Sequence, residues 1–221
     1  MMRAKELISP LIPPLKLSDS GDKALIWMHE FNVGYLPVVK KEKFLGLLSE
    51  EDVMDLDDPS EPIRNFDLKL PKPYVTQDVH IYEVVKLAAD LKLVLIPVVD
   101  SNENYLGVIT QESIVSSFAK LSSITEGGSI IVLELNKNEY SLAEIARIVE
   151  ESNAVVLSSY VSTKPDSAKM EVTLKINISE IKQIVSSFER YKYTILGSFN
   201  ETEYFEDLKD RFNSLMSYLN I

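Results

Sequence analysis

Apolar positions recur along this chain with two different periods. Ala24, Leu25, Met28 and Phe31 fall at helical spacing, and so do Val84, Val85, Leu87, Ala88 and Leu91. Each predicted helix is followed by a pair of short apolar runs. In the first copy, Leu36-Pro37-Val38-Val39 is followed by Phe44-Leu45-Gly46-Leu47-Leu48. In the second, Ile96-Pro97-Val98-Val99 is followed by Tyr105-Leu106-Gly107-Val108-Ile109, with one extra residue in the intervening turn of residues 100–104. Val38-Val39 and Val98-Val99 are β-branched, which suits buried strands. Such self-similarity, about sixty residues apart, marks an internal repeat.

Helix signals close each copy. Ser49 and Thr110 stand where an N-cap belongs, and Glu50, Glu51 and Asp52 fill a first turn, where the positive end of the helix dipole favours carboxylates. Each unit therefore reads helix, strand, strand, helix over about 50 residues, which is too small to be stable alone. The two copies are expected to pack together, with repeats at residues 5–58 and 68–121 inside a first domain of residues 1–125.

The pattern changes after Gly127-Gly128. Residues 130–133 and 154–157 read as strands, and 193–196 as a last strand ending before Gly197. Met170, Val172, Leu174 and Ile176 alternate strictly with polar residues, which predicts an antiparallel strand with one wet face. Leu142, Ile145, Ala146, Ile148 and Val149 give one helix face, with Ser141 as its N-cap, and Ile181, Ile184, Val185 and Phe188 give another. The order β-α-β-β-α-β is the ferredoxin-like arrangement, here expected over residues 126–201. A final helix is expected over 202–221. Its apolar stripe of Phe205, Leu208, Phe212, Leu215 and Leu219 runs at steps of 3, 4, 3 and 4 and requires a partner surface, either its own sheet or a second subunit. The fold class is α+β.

The repeat resembles a tandem pair of CBS domains. That family has an apolar-Pro-Val strand, an apolar-Gly-apolar-apolar strand and Ser/Thr-x-x-Asp opening a helix. The first copy matches through Pro37, Gly46, Ser49 and Asp52; the second matches through Pro97, Gly107 and Thr110, with Ser113 in place of the Asp. The resemblance implies two clefts between the repeats that bind adenosine-containing ligands: AMP, ADP, ATP or S-adenosylmethionine. It nominates Pro37, Val38, Ser49, Asp52, His80, Pro97, Val98, Thr110 and Ser113 as nucleotide-site residues, with Asp52 on ribose and Ser49 on phosphate or ribose. Glycine in the strand would then let the ligand approach the backbone. Residues 141–146 and 152–155 resemble an ACT domain, whose loop after the first strand implies an amino-acid site at Asn138, Ser141 and Leu142. That loop lacks the family's glycine. Together the two parts resemble bacterial CBS–ACT proteins of the acetoin-utilisation type, which implies a homodimer.

Composition narrows the chemistry. The 221 residues carry 23 basic and 34 acidic side chains, a net charge of −11, which argues against nucleic acid and against a basic membrane surface. There is no cysteine and there are only two histidines, His29 and His80, so thiol nucleophiles, thiolate metal sites and three-His zinc sites are excluded. The run from Glu50 to Glu61 has seven acids and no base, which reads as a solvated helix and linker rather than a cation site, and which favours a weakly charged ligand. No Ser-His-Asp order and no phosphate-cradling GxxxxGK occurs, so no enzyme is expected and no cofactor is required. No leader or membrane-length apolar run is seen, and a cytoplasmic protein is expected. The expected function is a non-enzymatic sensor that binds an adenosine-type ligand between the repeats and relays it through the ACT-like domain. The alternative is a ligand-free module for dimerisation or protein–protein contact.

Overall fold

Each repeat is built on a small three-stranded sheet. The computed structural model describes residues 2–67, 69–200 and Tyr218; the predicted final helix over 202–221 lies otherwise outside the described residues. In the first repeat, β1 (Leu15–Lys16) runs parallel to β2 (Tyr35–Lys40), which pairs antiparallel with β3 (Lys43–Ser49). Helix α1 (Gly21–Glu30) precedes this hairpin and α2 (Glu50–Met54) follows it. The second repeat repeats the order with β4 (Val75–Thr76), α3 (Ile81–Leu91), β5 (Leu95–Val99), β6 (Tyr105–Thr110) and α4 (Gln111–Leu121). The sequence reading missed β1 and β4. Two residues are too few to show a period, and each strand forms only because β2 or β5 presents a free edge.

Both hairpins carry an irregularity at the same place, between Val38 and Val39 and between Val98 and Val99. The repeats share a core: Leu36, Phe44, Leu48 and Val53 of the first pack in one cluster with Leu95, Val99 and Val108 of the second. Their hairpin tips also meet, through a bridge of Lys43 with Asn104 and a bond from Tyr105 N to Glu42 O. A second cluster gathers Val75, Ile81, Val84, Ile96, Val98 and Ile109 around Ala4 and Leu7.

The connecting segments are exchanged between repeats. Residues before the first repeat dock on the second: Ala4 N bonds Val79 O, Lys5 N bonds Gln77 O, and Ser9 N bonds Val108 O. Residues between the repeats return to the first: Ile63 N bonds Asp19 O, Arg64 N bonds Leu17 O, and Leu47 N bonds Pro71 O. Here the glycine expectation is corrected. A side chain on Gly46 would meet Leu70 Cβ at 2.5 Å and Pro71 O at 2.8 Å, and one on Gly107 would meet Ile8 Cγ2 at 2.4 Å, with φ of +155° and +149°. The close approach that requires glycine is therefore by the chain's own connecting segments, not by a ligand.

The chain divides into two compact units at Ser117/Phe118, within α4. The second unit is an antiparallel sheet with order β10-β7-β9-β8. It is made of β7 (Ser129–Asn136), β8 (Val156–Thr163), β9 (Lys169–Ile176) and β10 (Thr194–Asn200), with α5 (Leu142–Glu150) after β7 and α6 (Lys182–Arg190) after β9. This is the ferredoxin-like arrangement. Ile131, Leu133, Val172, Leu174 and Ile176 of the sheet and Ile145, Ile148, Ile184 and Phe188 of the helices form its core. Three strands differ from expectation: β7 runs on to Asn136, three residues past its expected end. β8 starts two residues late and runs to Thr163, and β10 continues through Gly197 to Asn200 across a bulge between Ile195 and Gly197.

Candidate functional site

The first cleft is assembled from three separate stretches of chain. Tyr35, Leu47, Ser49 and Asp52 come from the first repeat, Pro71, Lys72 and Pro73 from the linker, and Leu91 and Leu93 from the second repeat. The cavity is about 580 Å³, within the range of small-molecule sites. Its lining is mainly apolar, with Asp52 and Lys72 as its two charged members among the described residues. Lys72 reaches Glu103 at 2.7 Å, and it is the base nearest this cleft rather than Lys40, Lys41 or Lys43. Lys72 also holds the Glu103 carboxyl below its ordinary value.

At the mouth of α2, Ser49 and Asp52 close a reciprocal cap. Ser49 Oγ accepts from Asp52 N at 3.1 Å and donates to Asp52 Oδ2 at 2.6 Å; Ser49 N donates to the same oxygen at 2.9 Å. Both residues are only half-buried, so the carboxylate is held at the cleft wall by the cap rather than sealed away. Tyr35 works across the repeats: its hydroxyl accepts from Val94 N at 2.6 Å and from Leu95 N at 3.2 Å. Burial pushes the Tyr35 phenol up, opposed by those two amides.

The second cleft, about 480 Å³, is lined by residues 6–11 with Thr110, Glu112, Ser113, Ser116 and Ser117. Thr110 Oγ1 accepts from Ser113 N at 3.1 Å and lies 3.1 Å from Ser113 Oγ, a cap without a carboxylate. Its charged lining residues, Glu6 and Glu112, are both acidic, which opposes an anionic ligand there.

The structure thus brings Ser49 and Asp52 together at one cleft and Thr110 and Ser113 at the other. Pro37, Val38, Pro97 and Val98 lie buried in β2 and β5 and line neither. His80 caps α3: its Nδ1 accepts from Tyr82 N at 3.3 Å, its ring meets Tyr82 edge-on, and it lines neither cleft. Sequence reasoning missed Tyr35, Leu47, residues 71–73, Leu91 and Leu93. The proline-flanked Lys72 just before the second repeat was the available signal; the leucines carried none.

In the second unit, Ser141 caps α5 by accepting from Glu144 N at 3.3 Å, Asn138 sits in the short turn Lys137–Glu139, and Leu142 is half-exposed. A polar cleft of about 410 Å³ lies beside this loop, lined by Glu134, Asn136, Glu139, Glu144, Lys169 and Tyr193 among others, but not by Asn138, Ser141 or Leu142. Tyr193 donates to Glu144 Oε2 at 3.1 Å, and burial together with that carboxylate pushes its phenol up to about 12. Among the described residues no group of His, Asp and Glu could hold a metal ion, and no helix is long and apolar enough to cross a membrane.

Comparison with known proteins agrees with the repeat. Residues 13–58 and 67–120 each match the family profile described as CBS domain. An uncharacterized protein of Methanopyrus kandleri is 29% identical over 93 residues, a stretch that is 39% of this chain and 47% of that protein. The chain therefore spans about half the length of this curated relative. Among solved structures, a CBS domain pair/ACT domain protein from Thermotoga maritima aligns with TM-score 0.48 and 21% identity, covering 54% of this chain and 98% of that one. CBSX2 in complex with AMP aligns with TM-score 0.46 and 23% identity, covering 54% and 98%. The first unit of this chain carries a tandem pair of CBS domains.

Proposed function

We propose that the CBS pair is a regulatory binding module whose first cleft takes an adenosine-type ligand of low negative charge, and that the protein is a non-enzymatic homodimer. The observation that carries this reading is the cleft itself. An apolar slot of about 580 Å³, walled by Leu47, Leu91 and Leu93, ends at a carboxylate, Asp52, held in place by Ser49. The leucines suit a flat aromatic base, and a carboxylate suits the paired hydroxyls of a ribose. One lysine against Asp52, with the acidic run of Glu50 and Glu51 outside, favours adenosine, AMP or S-adenosylmethionine over ATP. The second cleft, with Ser113 and two glutamates, is the weaker site. Occupancy would be relayed to the ACT-like domain through α4, and only as far as the ligand's affinities for the two arrangements differ.

Isothermal titration with adenosine, AMP, ATP and S-adenosylmethionine tests this. Saturable heat is expected from at least one of them, with Asp52→Ala weakening it about tenfold or more, the equivalent of ~1.4 kcal/mol, while the dimer persists. No heat from any of the four at millimolar concentration overturns the reading.

A second reading, a ligand-free module for dimerisation or partner contact, is favoured by one observation. Asp52 Oδ2 is already engaged by both the amide and the hydroxyl of Ser49. It predicts a dimer that is indifferent to all four compounds.

A further inference from the structure

Among the described residues the first cleft has one base, and that base is engaged outside the cleft. Lys72 lines the cavity beside Asp52, yet its ammonium donates to Glu103 Oε2 at 2.7 Å, on the hairpin of the second repeat. The backbone on both sides of this pair is fixed. Pro71 and Pro73 flank Lys72 with locked φ angles, and Pro71 O accepts from Leu47 N at 2.9 Å. The next residue, Tyr74, packs edge-on against Phe44 with centroids 6.3 Å apart. Glu103 stands in a turn organised by Asp100, whose carboxylate accepts from Asn102 N and Asn104 N, each at 2.8 Å. Glu103 N donates to Asp100 O at 3.1 Å, and Glu103 O accepts from Phe44 N at 3.3 Å. Only the two side chains are left to move. They are 39% and 52% exposed, so burial holds neither, and an exposed ion pair of this kind exchanges partners at little cost. Lys43, the other base acting on Glu103, donates to Asn102 O and does not line the cleft.

We propose that the Lys72–Glu103 pair sets the charge selectivity of the first cleft, so that the cleft takes an adenosine compound without a phosphate. This inference rests on the ligand reading above and narrows it. With Lys72 drawn to Glu103, the charge that faces a ligand is the Asp52 carboxylate, and Glu50 and Glu51 extend it along the start of α2. A phosphate monoester carries about −1.5 to −2 charge at neutral pH. It would have to draw Lys72 away from Glu103 and leave that carboxylate unpaired. A nucleoside or a sulfonium compound requires no such exchange. The head of α2 offers the phosphate little else. Ser49 already donates both its amide and its hydroxyl to Asp52 Oδ2. α2 has only five residues, and three acids fill its first turn, so the helix end adds no attraction for an anion. Lys72 is thus the residue that decides between a phosphorylated and an unphosphorylated ligand, and Glu103 decides where Lys72 points.

Calorimetric titration of the full chain with adenosine and with AMP tests this, in the wild type, Glu103→Gln, Lys72→Met and the double variant. Both positions are exposed, and unchanged adenosine affinity across the four proteins checks that the cleft itself is intact. The wild type is expected to bind adenosine about threefold or more tighter than AMP. Glu103→Gln is expected to raise AMP affinity relative to adenosine about threefold to fivefold, the scale of one exposed ion pair. In the Lys72→Met background the same change is expected to move that ratio by less than half as much. An equal gain in both backgrounds makes Glu103 a distant charge that does not act through Lys72, and it overturns the proposal. No gain in either background overturns it too, as does a wild type that prefers AMP. Binding with an unmoved ratio sinks this inference alone. If neither compound binds any of the four proteins, the ligand reading falls and this inference falls with it.

Discussion

Gly46 shows how a residue legible in sequence can be misread in role. The glycine of the repeat is visible in both copies, but what crowds it is the connecting segment, Leu70 and Pro71 at Gly46 and the Ile8 side chain at Gly107, which no local pattern displays. Gly46→Ala is expected to destabilise the first unit by more than ~1 kcal/mol, since the new Cβ meets Leu70 Cβ and Pro71 O at a φ that L residues rarely adopt. Denaturant unfolding checks this. Tyr35 is the complementary case, a residue that sequence did not single out and that satisfies two amides of the other repeat. Tyr35→Phe leaves Val94 N and Leu95 N without that acceptor and is expected to cost ~1–3 kcal/mol, read from the same denaturant midpoint. The Ser49 and Asp52 pair was recognisable from spacing alone, because a cap is a contact between residues three apart.

At the scale of elements, strands with a strong period were found and strands without one were cut short. β9 alternates strictly along its length and was read correctly. β8 continues through Ser158, Ser159, Ser162 and Thr163, an edge strand whose exposed face selects no apolar residue, so its second half is silent. β10 passes through Gly197, a residue that ordinarily stops a strand, because a bulge against β7 absorbs the irregularity. α6 lies over the sheet core through Phe188, fully buried and edge-on to Tyr193 at 5.5 Å. Phe188→Ala is expected to cost ~3–5 kcal/mol, seen as a lowered midpoint by circular dichroism.

For the molecule as a whole, its carboxylates set the pH response. Hydrogen bonds from Lys5 and Arg3 hold Asp78 below its ordinary range, and those from the turn residues Asn104 and Asn102 hold Asp100 there. Burial pushes Asp19 up, but Lys23 at 2.8 Å and the Lys16 amide more than offset this and leave it lowered. A carboxyl lowered in the folded state binds fewer protons there than in the unfolded chain. Its contribution is therefore present above the ordinary carboxylate range and lost as pH falls below about 4. Thermal melts from pH 6 to pH 3 should show a falling midpoint, shallower at high salt where exposed pairs such as Lys5–Asp78 are screened. Tyr193 acts at the other end: its raised phenol keeps its contribution below about pH 10 and loses it as pH climbs towards about 12.

The sequence by itself determined the repeat, the helix-strand-strand-helix order within each copy, the element order of the second unit and the capped Ser49–Asp52 pair. Each of these depends on contacts between near neighbours or on a period that burial imposes on a single element. Only the tertiary structure decided that the connecting segments are exchanged between repeats, that Leu91, Leu93 and Lys72 wall the first cleft, and that Gly46 and Gly107 make room for the chain itself. Those pairings join residues tens of positions apart. The free energy that selects them comes from burying one surface against another, and neither surface carries a mark of its partner in its own sequence.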